Sequence, residues 1–116
     1  MAVTLAELVD PATTAVVTSE VQKGVVGPAG TLPALTEVAA PMLPNVGRLV
    51  RAARAAGAQV VHATVYRRAD GRGANRNARL FAAVQRSGVP LLPGTPAVEV
   101  VDEVGVEPED LVLTRT

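Results

Sequence analysis

Glu20 is the side chain best placed to do chemistry, because it directly follows an apolar run that predicts a strand. The run covers residues 14–19 and contains Ala15, Val16 and Val17, a pattern typical of a strand buried on both faces of a parallel sheet. Open α/β sheets bind ligands just beyond the carboxyl ends of their strands. Glu20 is therefore a candidate for chemistry. The alternative is an ordinary strand-terminal carboxylate that faces solvent or caps a neighbouring helix.

Three more polar side chains lie near predicted strand ends. Gln22 either orients a ligand or hydrogen-bonds the glycine-rich loop that follows it. Arg67 and Arg68 follow the second predicted strand, so they would overhang the same crevice as Glu20 and bind the carboxylate of a small acidic ligand. The alternative for this arginine pair is a solvated loop or a contact between subunits.

The elements that position these residues follow from apolar periodicity and turn signals. Strands are predicted over residues 14–19, 58–64 and 111–115. The capping box Thr4-Leu-Ala-Glu7 predicts one helical turn that buries Leu5, Leu8 and Val9. Further helices are predicted over 33–40, from Asn45 to the terminator Gly57, from the cap Asn77 to Gly88, and from Thr95-Pro96 onward.

Each of the later helices has a predicted apolar face. In the helix capped by Asn45, the stripe is Val46, Leu49, Val50 and Ala53, with Arg48, Arg51 and Arg54 pointing away from it. The next two helices are expected to bury Leu80, Phe81 and Val84, and then Val98, Val101 and Val104.

The order of elements predicts an α/β fold, a three-layer α/β/α arrangement around a parallel sheet built from right-handed βαβ units. The 116 residues form at most one domain. Three strands make only half of a doubly wound sheet and leave an edge unpaired. We therefore expect the sequence to be the N-terminal part of a larger domain, and the chain alone to associate with itself as a homo-oligomer or to behave as a loosely packed domain.

Composition excludes several classes of protein. There is no cysteine and a single histidine, His62, which lies inside a predicted strand and is expected to pack in the core. No apolar run approaches a membrane span, and the acidic start lacks the basic region of a secretory signal, so a cytoplasmic protein is expected. Nine arginines cluster between Arg48 and Arg86, but only two aromatic residues, Tyr66 and Phe81, lie among them for stacking, and nucleic-acid binding is not expected.

The strand before Glu20, the tripeptide Glu20-Val21-Gln22 and the unit 45–64 together resemble the isochorismatase-like cysteine hydrolases. That family's first strand typically ends in Asp-x-Gln, from which Glu20-Val21-Gln22 differs by one methylene. Its next unit matches here at Asn45, Leu49, Ala52, Arg54, Gly57, Val60 and Val61. Further on, Pro93-Gly94-Thr95 and Asp110 match, and Arg115 stands where the family has a lysine. The resemblance runs from about Thr13 to Thr116.

The resemblance implies a catalytic set of Asp, Lys and Cys that acts on amides or vinyl ethers in small molecules. The thiolate attacks, the aspartate moves the proton and the lysine holds charge. Glu20 and Arg115 occupy the Asp and Lys positions, where we expect them to face one crevice in direct or one-water contact. The cysteine position lies downstream, so these residues lack the nucleophile. A misplacement on the order of 1 Å can cost about a hundredfold in rate, and both replacements point to an altered or lost reaction.

The resemblance also bears on metals and on competing functions. Nicotinamidase-type members carry an Asp-x-His and a second histidine after the second strand, whereas residues 64–70 contain no histidine. We expect neither a metal nor another cofactor. The leading hypothesis is a hydrolase-family protein with a small-molecule substrate. A second is a non-catalytic ligand-binding or scaffolding member, and a third is a small α/β regulatory module, which the absence of a glycine-rich phosphate motif disfavours.

Overall fold

The computed structural model describes residues 2–116. Its elements in chain order are α1 (Leu5–Leu8), β1 (Ala15–Ser19), α2 (Pro33–Ala39), α3 (Leu43–Ala56), β2 (Gln59–Val65), α4 (Arg79–Arg86) and β3 (Leu111–Arg115), with 3₁₀ turns at Pro11–Thr13, Ala40–Met42 and Pro96–Val98. The three strands form one parallel sheet in the order β1-β2-β3. The predicted α/β fold and parallel pairing are thus confirmed.

The two faces of the sheet are covered very differently. Helix α3 packs against β1 and β2 on one face, where Val60, His62 and Thr64 are buried. Side chains alternate along a strand, so Val17 and Leu113 lie on the opposite face, and each is 60% exposed. The expectation that β1 is buried on both faces is therefore wrong, because within residues 2–116 the second face remains largely open to solvent.

Helix α3 begins two residues before the predicted cap. It starts at Leu43, directly after the 3₁₀ turn that follows α2, so Asn45 lies inside the helix and accepts a hydrogen bond from Arg48 instead of capping. The end is as predicted, since Gly57 adopts a left-handed conformation with φ of 84°. Continuity with the preceding turn removes the need for a side-chain cap.

The buried stripe of α3 is also rotated from the predicted one. Leu43, Gly47, Val50 and Ala53 are buried, whereas Leu49 is 57% exposed. A Cβ at Gly47 would lie 2.1 Å from the carbonyl oxygen of Glu103. Only a glycine allows α3 to come this close to the backbone at Glu103. The contact determines which side of α3 faces the core.

The remaining helical predictions are confirmed in part. The capping box of Thr4 and Glu7 is present, but Leu5, Leu8 and Val9 are 52–73% exposed because α1 does not pack on the core. Helix α4 follows Ala78 without a side-chain cap, so Asn77 is not the cap, and Leu80 is exposed while Phe81 and Val84 are half-buried.

The segment that starts at Thr95-Pro96 forms only a 3₁₀ turn instead of a longer helix. It continues into an antiparallel bridge between Val100 and Gln22. Val101 and Val104 are nonetheless buried as predicted, and they complete the core with Val50 and Val60.

Candidate active site at the strand ends

Glu20 turns the chain out of β1 at the carboxyl edge of the sheet. Its backbone N–H donates to the carbonyl of Ala63 on β2 over 2.8 Å, so pairing with β2 continues one residue past β1. Glu20 then adopts φ of 56°, and it is the one non-glycine residue with positive φ in the described chain. A left-handed conformation is unfavourable for a residue with a Cβ. The fold thus holds this carboxylate in a strained position, a feature that clusters at functional sites.

Arg115 reaches the Glu20 carboxylate across the end of the central strand. It ends β3 opposite Val65 of β2, and its Nη2 donates to Glu20 Oε1. The side chain of Glu20 is 34% exposed and that of Arg115 is 70% exposed. The two residues that the sequence aligned with a catalytic pair are therefore in direct contact, at the rim of the site instead of in its interior.

Gln22 is fully buried and its amide is used within the protein. Its Nε2 donates to the carbonyls of Val65 and Val98, both over 2.8 Å, and its Oε1 accepts from the N–H of Val65. Both N–H donors are thus occupied, which leaves none for a ligand. The side chain joins β2 to the 96–98 turn, while the glycine-rich loop is held by the Gln22 backbone carbonyl.

A cavity of about 310 Å³ opens beside the Glu20–Arg115 pair. We call it the strand-end cavity; its lining includes Glu20, Thr31, Arg67, Phe81, Leu91 and Arg115. One wall is apolar, from the residues around Leu91 and α4. The other wall carries the charged pair. This combination of an apolar cleft with a few convergent polar groups is typical of small-molecule sites.

Arg67 lines the strand-end cavity, and its guanidinium contacts an aromatic ring there. Its Cζ lies 5.8 Å from the centroid of the Phe81 ring, within cation–π range. Its Nε is buried and has no hydrogen-bond partner among the described residues. The backbone N–H of Arg67 donates to the carbonyl of Leu91 over 2.7 Å, which fixes where the side chain leaves the loop.

Arg68 does not share this cavity, so the expectation that it overhangs the crevice with Arg67 is wrong. Its guanidinium forms two hydrogen bonds to Asp70, of 2.9 and 2.6 Å, on the exposed loop. Asp70 also accepts from the N–H of Arg72. This pairing raises the pKa of Arg68 and lowers that of Asp70. The local carboxylate already satisfies this cation and draws it away from the strand ends.

A buried polar network crosses the sheet below the site. His62 is fully buried, with Nδ1 2.7 Å from the Thr18 hydroxyl and Nε2 3.0 Å from Asp110 Oδ2. Arg54 binds the same carboxylate through Nε at 3.1 Å and Nη2 at 2.5 Å. Hydrogen bonds from Arg54 are the main cause that holds the pKa of Asp110 well below its usual range. Arg54 therefore does not point away from the core as predicted, because Asp110 binds it at the start of β3.

Sequence reasoning missed the apolar wall of the cavity. Thr31 and Leu91 are buried, but they come from loops with no periodic pattern, and only the glycines near Thr31 mark a segment that packs closely. A second, larger depression of about 490 Å³ lies along β3. Its lysine, Lys23, is already paired with Glu99 and Asp102 at 2.8 and 3.0 Å. The strand-end cavity is therefore the better candidate site.

Within residues 2–116, no three His, Cys, Asp or Glu side chains come close enough together to hold a metal ion. In the same part of the chain, no helix has the length and apolar character needed to cross a membrane.

The chain is similar to known proteins in both its sequence and its fold. The family model described as Isochorismatase domain matches residues 14–116. The structure is similar to that of an isochorismatase family protein from Desulfovibrio vulgaris subsp. vulgaris str. Hildenborough, with a TM-score of 0.70 and 29% identity, over 87% of this chain and 51% of that one. It is also similar to a cysteine hydrolase from Pseudomonas syringae pv. phaseolicola 1448A, with a TM-score of 0.65 and 27% identity, over 92% and 48%.

The chain therefore spans about half the length of these solved structures. No curated protein matches it.

Proposed function

The chain belongs to the isochorismatase family, and on that premise we propose that it binds a small molecule in the strand-end cavity for hydrolysis of an amide or vinyl-ether bond. The observation that carries this proposal is the contact between Glu20 and Arg115 at the rim of that cavity. The two residues occupy the positions at which the family resemblance places a catalytic carboxylate and a catalytic cation.

Each residue has a role in this proposal. Glu20 accepts the proton released as the nucleophile attacks and returns it to the leaving group. Arg115 holds positive charge beside it and orients the carboxylate. Gln22 is a positioning residue, since its buried amide fixes the end of β2 next to the segment that carries Glu20. The 116 residues contain no cysteine, so the attacking thiolate would be supplied from outside them.

The second candidate function is ligand binding without turnover, and the charge of Arg115 favours it. A guanidinium does not give up its proton, so the pair can act as a fixed clamp on a polar ligand. Two measurements on the same protein distinguish these functions. Formation of product indicates hydrolysis, whereas ligand occupancy without product indicates binding alone.

The proposed site can be tested by titrating the chain with benzamide, a small planar amide, and recording backbone amide shifts by NMR. We expect the largest shifts at Thr31, Phe81 and Leu91, and weaker binding in Glu20→Gln. A matched control is Glu37→Gln, which removes an exposed carboxylate of α2 that does not line the cavity. Shifts scattered over the surface, or binding that is identical in Glu20→Gln, would contradict the proposed site.

A further inference from the structure

We infer that His62 is a positioning residue that fixes the register of β3 on β2 through Asp110, and so sets the position of Arg115. His62 lies in the middle of β2, is fully buried and does not line the strand-end cavity. Its role in the reaction rests on the proposed function, which assigns Arg115 to the site. The register itself belongs to the fold and can be measured without a ligand.

The apolar pattern of β3 does not specify its register. All five residues of the strand, Leu111–Arg115, are exposed, and Leu111 and Leu113 are interchangeable on the open face. Register is strongly specified where one face of a strand is buried, and a slip by two residues returns every side chain to its own face. Such a slip moves each residue about 6.6 Å along the sheet. It would displace Arg115 from the position in which it contacts Glu20.

The side chain of Asp110 supplies the specificity that the apolar pattern lacks. Asp110 directly precedes β3, and its side chain is only 2% exposed. Its Oδ2 lies 3.0 Å from Nε2 of His62, and Arg54 of α3 binds the same carboxylate. An ionised carboxylate only accepts hydrogen bonds, so His62 donates to it through Nε2. Hydrogen bonds to a charged group are stronger than neutral ones, and a slip of β3 by two residues would break them.

His62 defines the position of β3 more closely than Arg54 does. The side chain of Arg54 is long and has many rotamers, so it can follow a displaced carboxylate. The imidazole ring of His62 is rigid, and its Nδ1 is held 2.7 Å from the hydroxyl of Thr18 on β1. Thr18 and His62 lie opposite each other in the β1–β2 pairing. The ring is therefore a fixed connection from β1 through β2 to the start of β3.

A pair of hydroxyl groups also joins β2 to β3. Thr64 and Thr114 lie opposite each other, with their side-chain oxygens 2.7 Å apart. This contact is between neutral groups and Thr114 is exposed, so it contributes less than the hydrogen bonds to Asp110. Thr114→Val is therefore a matched control, because it removes a contact between the same two strands and leaves Asp110 in place.

The test is disulfide trapping, for which the cysteine-free chain is well suited. Ala63 lies opposite Leu113 in the observed register, so Ala63→Cys with Leu113→Cys reports that register. Ala63→Cys with Leu111→Cys reports a slip by two residues, and Val61→Cys with Leu113→Cys reports the opposite slip. Cysteines whose Cα atoms are more than about 7 Å apart do not bond without backbone movement. Peptide mapping by mass spectrometry after mild oxidation of dilute protein measures each intramolecular cross-link.

We expect the pair in the observed register to cross-link much faster than either slipped pair when His62 is present. His62→Leu should lower this ratio of rates about tenfold, which corresponds to the loss of one hydrogen bond to a charged group. His62→Gln should restore the ratio, because its amide carries an N–H donor for Asp110. If His62 only filled space, leucine would serve as well as glutamine. Thr114→Val should keep most of the ratio.

An unchanged ratio in a folded His62→Leu chain overturns the inference, and so does a ratio that falls in Thr114→Val alone. If His62→Leu is unfolded by circular dichroism, Asp110→Asn decides: an unchanged ratio in that variant overturns the role of the link, and a lowered one supports it.

The benzamide titration relates the register to the site. His62→Leu should weaken benzamide binding as Glu20→Gln does, and unaltered binding in a variant with a lowered ratio would overturn the role of His62 in the site. Failure of benzamide to bind the wild-type chain would contradict the proposed function, whereas the cross-linking ratios, which involve no ligand, would still support the control of register by His62.

Discussion

Glu20 places a carboxylate at the edge of the sheet at the cost of an unfavourable backbone conformation. Its φ of 56° is one that glycine adopts freely. Any substitution at this position therefore changes two quantities, the charge at the site and the conformational strain. Two substitutions that both remove the carboxylate, but differ in backbone strain, separate the effect of strain from the effect of charge.

We predict that Glu20→Gly is more stable than Glu20→Ala by about 1 kcal/mol, because only glycine relieves the left-handed strain. Both variants lose the contact with Arg115, so that loss cancels in the comparison. Urea denaturation followed by circular dichroism measures the two free energies of unfolding. Equal stability of the two variants would show that Glu20 is not strained.

Gln22 gives a second prediction for a single residue. Gln22→Leu keeps much of the volume but leaves the N–H of Val65 and two carbonyls without partners. We expect the free energy of unfolding to fall by about 3 kcal/mol, since each buried unpaired group costs about 1–3 kcal/mol. The control is Gln85→Leu on the exposed side of α4. A loss no larger than that of the control would contradict the bridging role of Gln22.

A network of hydrogen bonds and ion pairs joins the three strands to α3. Its members are Thr18, His62, Asp110 and Arg54. Asp110 supplies the shared acceptor, and its side chain is 2% exposed. Removing one partner of a buried ion pair leaves the other charge uncompensated. This makes the start of β3 dependent on a single carboxylate.

We predict that Asp110→Asn lowers the free energy of unfolding at neutral pH by about 3 kcal/mol. The pKa of Asp110 is lower in the folded chain than in the unfolded one. Its contribution is therefore present above the unfolded pKa of about 3.9 and is lost as pH falls through the folded pKa. The difference between wild type and variant should shrink below about pH 4.

Urea unfolding from about pH 7 down to about pH 3 measures this dependence. Glu37→Gln, which removes an exposed acidic group of α2, is the matched control and should run parallel to the wild type. A gap between wild type and Asp110→Asn that stays constant over the whole range would contradict the linkage.

Among the helices and strands, the sequence correctly predicted the features that depend on the local pattern of residues. Continuous apolar runs gave the three strands, and Gly57 gave the end of α3. The errors came from tertiary contacts. The phase of α3 follows from the approach of Gly47 to Glu103, which no pattern of apolar residues encodes. Arg54 and Asp110 lie 56 positions apart, so the ion pair that turns Arg54 inward was invisible from either segment alone.

The same distinction holds for the candidate site. The residues that follow strands were found because a parallel sheet brings its carboxyl ends to one edge. Arg67 and Arg68 are adjacent and identical in sequence, and only the structure separates them, since Asp70 binds one and leaves the other facing the cavity.

For the whole molecule, the open face of the sheet determines behaviour in solution. Val17, Leu111 and Leu113 are 50–60% exposed on that face, and both β1 and β3 are edge strands. Exposed apolar patches beside unpaired strand edges favour association. We propose that copies of the 116-residue chain pair through this face.

We predict that the double variant Val17→Thr, Leu113→Thr lowers the fraction of associated species in sedimentation velocity, because threonine keeps the branched shape suited to strands while adding a hydroxyl. The control is Leu49→Gln, which removes a comparably exposed apolar residue from α3. Association that persists in the double variant and falls in the control would place the contact on the helical face.

The hydrogen-bonded network also governs the order in which the chain can fold. Thr18, Arg54 and His62 leave the ribosome well before Asp110, and N-terminal segments begin to collapse first. Until Asp110 arrives, the guanidinium of Arg54 lacks the carboxylate that binds it in the folded chain, so the docking of α3 on β1 and β2 is without this contribution. The packing of α3 on β1 and β2 is therefore weaker before β3 forms, and Asp110 completes the network when it arrives. Pairing between segments so far apart in sequence is slow, so we expect this network to form late in folding.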